Sequence, residues 1–245
     1  MMPALLLIAH GSRDPRHAAT VAALVEEVRA QRPGTEVATA YLDHCAPRIP
    51  QVVGRLADAV AVPLLLNRAF HAKHDIPAAL RAAGSRLPVA DVLGPSPLLL
   101  AALDRRLAEA GLAVGSPAAR ARTGVVLAAA GSSDPAADAA TRAVAAEWRR
   151  TRGWAAVEVA YAYAAGPRVP DALAALRTAG AAHTAVAPYL LAPGLLPDRI
   201  AAAAEDADAD LVADVLGPSP ELAALLLHRY DQARHTADTT PALTA

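Results

Sequence analysis

Of the eight histidines in this chain, several stand where short apolar runs end. His10 follows the run 5–9 directly, and Asp43 and His44 follow 37–41. Asn67, Arg68 and His71 follow a third run, with Lys73, His74 and Asp75 close behind. Imidazoles with a carboxylate suit a borderline divalent metal such as Fe, Co, Ni or Zn. A lone loop histidine is usually just solvated, but three at successive run ends form a pattern. Other chemistries fit less well. Ser12 neighbours His10, yet there is no G-x-S-x-G elbow, and adjacent residues in such a turn rarely face each other. The Gly11-Ser12 turn either offers backbone N–H groups to an anion at a helix start or is only a turn. Cys45 beside His44 is either a ligand or a buried thiol. G-x-G-x-x-G and P-loop lysine motifs are both missing, so a nucleotide site has no support.

The elements that must position these residues alternate. Apolar runs at 5–9, 37–41, 61–66 and 89–92 read as strands. Amphipathic stretches between them read as helices, including 49–59, 76–83 and about 98–110. Ser96-Pro97 supplies a cap and a first-turn proline for the last of these. Continuous apolar strands alternating with helices imply a parallel sheet covered on both faces. In such sheets ligands sit beyond the carboxyl ends of the strands, where the residues above fall.

The chain also repeats itself. The segment DVLGPSP at 91–97 recurs letter for letter at 214–220, and AHGSRDP at 9–15 is answered by AAGSSDP at 129–135. Ala40-Tyr41 matches Ala160-Tyr161, and Pro47-Arg48-Ile49-Pro50 matches Pro167-Arg168-Val169-Pro170. The expected fold is α/β: two tandem doubly wound domains, each with a four-stranded parallel sheet. The expected boundaries are 1–112 and 122–230, with 111–122 as linker and 231–245 as a flexible tail. The repeat is also an internal control. His10 faces Ala130, Asp43 faces Tyr163, and His71 falls opposite Leu195 or Leu196. Residues that build the fold are shared, and residues suited to metal are not. The first copy is expected to hold the chemistry and the second to serve as a degenerate wall.

Composition sets outer limits. Hydrophobic residues make up 54% of the chain and aromatics 3%, so the core must rest on close-packed small aliphatics. With 23 basic and 24 acidic residues the net charge is −1, which gives no basic stripe for nucleic acid or an anionic membrane. Cys45 is the single cysteine, as expected in a reducing compartment. The opening apolar run is too short for a secretory core, and no run reaches the roughly 20 apolar residues of a membrane helix. A cytoplasmic protein is expected.

The segment from Leu6 to Pro15, with Ala9-His10-Gly11-Ser12 at its centre, resembles the opening of the sirohydrochlorin and cobalt chelatases, the class II tetrapyrrole chelatases. Ala40-Tyr41-Leu42-Asp43 is similar to their second-strand motif, which usually ends in Glu, and Phe70 to Pro77 is similar to their His before Asp-Ile-Pro. The resemblance covers both halves, as in the long two-domain form. It implies a lyase that inserts Fe2+ or Co2+ into sirohydrochlorin, in siroheme or cobalamin biosynthesis. It maps the catalytic residues onto His10, His71 and Asp43, and the metal ligands onto His10 and His71, with His74 as the alternative second ligand. Two departures stand out: Asp43 is shorter than Glu, and Ala69 replaces a frequent Gly.

Metallation exchanges two pyrrole protons for one metal ion, and neutral imidazoles can both release the metal and accept protons. Asp43 would assist as base or third ligand. Ser12, Arg13, Arg68 and Lys73 are candidates to hold the macrocycle, whose carboxylates need basic or N–H partners. A cleft between the halves suits so large a flat ligand. The metal is then a substrate, no cofactor stays bound, and no nucleic-acid or membrane partner is expected. A monomer is expected because the duplication supplies both halves. The competing reading is a carrier that binds tetrapyrrole or metal without turnover. A metal-dependent hydrolase would need more carboxylates.

Overall fold

The structure, a computed structural model, describes residues 2–56, 58–67, 75–163 and 166–239. Arg68, His71, Lys73 and His74 lie outside them. The chain divides into two compact units. One comprises Met1–Gly94 with Pro218–Ala245; the other is Pro95–Gly217.

In the first unit β1 (Ala4–Ala9), β2 (Val37–Tyr41) and β3 (Ala59–Pro63) form a parallel sheet in the order β2-β1-β3. Every residue of β1 and β3 is buried, as expected for strands covered on both faces. Leu6, Ile8 and Ala61 pack with Ile49 and Val53 of α2 (Ile49–Val53) and with Ile76 and Leu80 of α3 (Ile76–Ala82). On α1 (Pro15–Gln31) the buried residues Val21, Leu24, Val25 and Val28 recur at helical spacing.

The fourth strand expected at 89–92 is reduced to a single bridge, Ala61 to Val89. Pro88 and Ala90 pair with Ala61, and the chain then runs extended, with Leu93 N donating to Leu65 O and Gly94 N to Leu66 O. Pro88 lacks an N–H to donate, which shortens the ladder there. The third strand starts two residues earlier than the apolar run suggests, and α2 stops at Val53, before Gly54.

After Gly94 the chain leaves the first unit. Next come α4 (Pro97–Glu109), capped by Ser96 as expected, and α5 (Pro117–Arg120) inside the expected linker. β4 (Thr123–Ala129), α6 (Pro135–Arg152), β5 (Ala156–Tyr161), α7 (Val169–Thr178), β6 (His183–Pro188), α8 (Leu195–Asp206) and β7 (Leu211–Val212) follow. The second sheet has the expected four parallel strands, in the order β5-β4-β6-β7. α7 and α8 cover one face through Leu173, Leu176 and Ile200, and α4 packs on β6. Trp148 is fully buried, stands edge-on to Trp154, and donates to Asp104 of α4 at 2.8 Å. Both tryptophans are packing residues.

After Gly217 the chain returns to the first unit as α9 (Pro220–Thr239), which packs on α1 and β3. The expected tail is therefore helical through residue 239. Asp231 pairs with Arg32 through two 2.7 Å hydrogen bonds, and buried Tyr230 donates to Pro3 O at 2.6 Å. The expected boundaries 1–112 and 122–230 thus differ from the compact units by an exchange of helices. The repeated DVLGPSP segments are the two crossing points. Each crossing is pinned in the same way. Arg229 of α9 donates to Val92 O and Leu93 O at 2.8 and 3.0 Å, and Arg106 of α4 donates twice to Leu216 O at 2.9 and 3.1 Å.

Candidate metal centre

His10 follows the last residue of β1 at the carboxyl edge of the first sheet. Its backbone is fixed by the neighbouring strand: Leu42 N donates to Ala9 O at 3.0 Å, and Asp43 N to His10 O at 2.8 Å. Gly11 makes this approach possible. Its φ is 93°, and a Cβ there would lie 1.8 Å from the Asp43 carbonyl oxygen. Only glycine meets both demands. The turn thus draws the residues after β2 against His10. The half-buried His10 ring has Nδ1 3.1 Å from Gly11 O, and its centre is 6.3 Å from that of His44.

Asp43 is exposed, and its carboxylate is already engaged. It accepts from His44 N at 2.8 Å and from Arg48 at 3.0 Å, and lies 3.5 Å from His44 Nε2. The His44 N–H first, and then the Arg48 guanidinium, hold its pKa below the usual carboxylate range. Arg48 also donates to Leu42 O at 2.6 Å, and its own N–H meets Gln51 at 2.6 Å. In the second repeat Arg168 donates likewise to Tyr161 O and pairs its N–H with Asp171. Arg48 is therefore a fold-bearing arginine that here also orients Asp43.

Ser12 is a turn residue. Its Oγ accepts from Asp14 N at 3.1 Å, as Ser132 Oγ does from Asp134 N at 3.0 Å. Asp14 in turn caps α1 through Arg16 N, and Cys45 Sγ donates to Ser12 O at 3.1 Å. The α1 N-terminus is thus already capped, and the Ser12–Asp14 bond recurs in a copy that lacks His10. Arg13 is exposed.

His17, in the first turn of α1, is a residue the sequence reading missed. Its ring lies 6.4 Å from that of buried Tyr41, and its buried Nδ1 has no hydrogen-bond partner among the described residues. Burial first, and then the charge of His10, push its pKa below the ordinary histidine value. The repeat held the signal, because Ala137 occupies the matching place. Nearby in the second repeat the arrangement is different: Tyr161 donates to Asp138, which pairs with Arg142. Tyr163, opposite Asp43, is 67% exposed. Among the described residues no three His, Cys, Asp or Glu side chains converge on a common metal position.

The CbiX family model matches residues 4–110 and again 124–233. A sirohydrochlorin ferrochelatase of Priestia megaterium is 29% identical over 242 residues, covering 93% of this chain and 89% of the relative. A sirohydrochlorin ferrochelatase of Bacillus subtilis (strain 168) is 30% identical over 210 residues, covering 82% and 78%. A sirohydrochlorin cobaltochelatase of Priestia megaterium is 27% identical over 224 residues, covering 81% and 67%. Among solved structures, SirB from Bacillus subtilis with Fe3+ shares the fold, with a TM-score of 0.82, 24% identity and 98% of each chain covered. Matched twice along its length, once per repeat, the chain belongs to the CbiX family.

Proposed function

We propose that this protein inserts a divalent metal, Fe2+ or Co2+, into sirohydrochlorin, and that the reaction runs at the carboxyl edge of the first sheet. The observation that carries this reading is the asymmetry of the repeat. His10, His17 and Asp43 gather where one copy's strands end, while the other copy has Ala130, Ala137 and Tyr163 on the same backbone. The names of the three relatives support the substrate.

His10 binds the incoming metal, with His71 as a further ligand implied by the family resemblance and His74 as its alternative. The metal then passes to the macrocycle nitrogens as two pyrrole N–H protons leave. The imidazoles accept these protons. Because the His44 N–H and then Arg48 hold Asp43 ionised, it keeps a negative charge beside the cation. Exposed Arg13, with Arg68 and Lys73, meets the macrocycle's carboxylates. Both repeats lie in one chain, so the working form is a monomer.

His10→Ala tests this. Ala130 already occupies the matching turn, so stability should change by no more than about 0.5 kcal/mol. Metallation of sirohydrochlorin should fall about 100-fold or more, since even residues that only support a ligand are worth 10–100-fold. Melting temperature and metallation rate are measured on the same preparation. An unfolded variant would mark His10 as structural, and a fully active one would place the chemistry elsewhere. Stoichiometric uptake without turnover in the wild type would mark a carrier.

A further inference from the structure

α4 stops where its counterpart α9 runs on. Leu112 N donates to Leu107 O and Gly111 N to Ala108 O, both at 2.9 Å, and Gly111 has a φ of 106°. This double closure around a left-handed glycine turns a chain sharply out of its helix. Arg234 matches Gly111 in the repeat, and α9 continues through it. The turned chain, α5 and the amino edge of the second sheet line a cavity of about 450 Å³. That size falls in the range of small-molecule sites, about 300–1,000 Å³. All of its lining belongs to one compact unit.

Leu112, Ala119, Ala185 and Leu211 give the cavity apolar walls, and Arg122, His183 and Asp210 stand among them. Arg122 and His183 are exposed, and their side chains have no hydrogen-bond or ion-pair partner among the described residues. Asp210 is already engaged. Its Oδ2 accepts from Thr184 N at 2.6 Å and from Thr184 Oγ1 at 3.0 Å, which ties the entry of β7 to the start of β6. The repeat places these groups in one copy only. Ala4 pairs with Ala59, and its counterpart Gly124 with Thr184. His183 and Thr184 therefore answer to Asp58 and Ala59, and Asp210 answers to Leu87. At that edge of the first unit Tyr230 of α9 donates to Pro3 O.

An unpaired guanidinium takes a carboxylate through two parallel N–H bonds, and apolar walls reward burial of an apolar body. We propose that this cavity is a ligand site for a small amphipathic carboxylate. Its apolar body lies against Leu112, Ala185 and Leu211. Its carboxylate pairs with Arg122, and the His183 ring is a further donor. The site shares no residue with the His10 edge, so it stands or falls apart from the metal-insertion reading.

The test is a ¹H–¹⁵N NMR titration of the full chain at neutral pH with hexanoate, and separately with hexylamine and hexanol. Hexanoate should bind saturably and shift the amides of Leu112, Arg122, Thr184 and Leu211. Hexanol and hexylamine should bind about tenfold more weakly or less well still, since they lack the charge-assisted bond to Arg122. Arg122→Gln should weaken hexanoate by about the same factor and leave hexanol and the melting temperature unchanged. Should that variant melt early, Ala118→Trp carries the test: it fills the cavity from an exposed lining position and should abolish the hexanoate shifts. Hexylamine binding more tightly than hexanoate would make Asp210 the recognition group and overturn the proposal. Shifts that never saturate, or saturable binding that neither variant weakens, would overturn it as well.

Discussion

His17 shows how a residue can matter at this edge without appearing in any motif. It stands among apolar neighbours on α1, and its spacing is that of a core position. Only its burial next to Tyr41 and the charge of His10 make it unusual. The residues that were legible in the sequence, His10 and Asp43, are legible because they end apolar runs. His17 and the turn geometry of His44 depend on tertiary packing, which run ends do not encode. His17 also predicts a pH dependence. The unfolded chain takes up this proton near the ordinary histidine pKa of about 6.5, and the folded chain only at lower pH. Between the two values the unfolded state binds more protons, so stability rises with pH and is lost on acidification. Melting temperature should therefore fall as the pH drops through about 6.5 and below, and fall less in His17→Ala. Equal pH slopes in the two proteins would show that His17 does not titrate in that window.

At the scale of elements, strands β1 and β2, helix α3 and the Ser96 cap of α4 follow from apolar spacing and local turn chemistry. Boundaries drifted where apolar periodicity runs on through an element end, as across Val53 and Gly54. The fourth strand of the first sheet failed because a ladder needs N–H donors that Pro88 cannot supply. Periodicity shows that a helix has an apolar face but not which sheet it covers, so the exchange of α4 and α9 was not legible. The arginines that pin the crossings were not legible either, since their acceptors are 110, 136 and 137 positions away. Those acceptors belong to Val92, Leu93 and Leu216, all buried. Arg106→Met and Arg229→Met should each cost about 1.5–3 kcal/mol, the range for hydrogen bonds to a charged group. Arg150→Met, which removes an exposed pair with Glu147, should cost no more than about 1 kcal/mol. Denaturant unfolding of the three variants checks the ranking, and equal costs would mean that the crossings are not pinned by these bonds.

For the whole molecule, the repeat seen in sequence and the unit that packs in space are different divisions of the same chain. The family matches, 4–110 and 124–233, each end in a helix that belongs to the other compact unit. Fragment 1–112 would carry α4 without its sheet and would lack α9, exposing the apolar surface of α1 and β3 that α9 covers. It should be aggregation-prone, bind a hydrophobic dye and melt without cooperativity. A rearranged chain, 218–239 joined through a flexible linker to 2–94, restores the compact unit. Tyr230 already donates to Pro3 O, and the nine helical residues from there to 239 rise about 14 Å. A Gly/Ser linker of about 9 residues spans about 16 Å. This chain should be soluble and melt as one cooperative transition. The Arg32–Asp231 pair should contribute to it, so that Asp231→Ala lowers its melting temperature. A cooperative melt in fragment 1–112 and none in the rearranged chain would make the sequence repeat, not the compact unit, the folding unit.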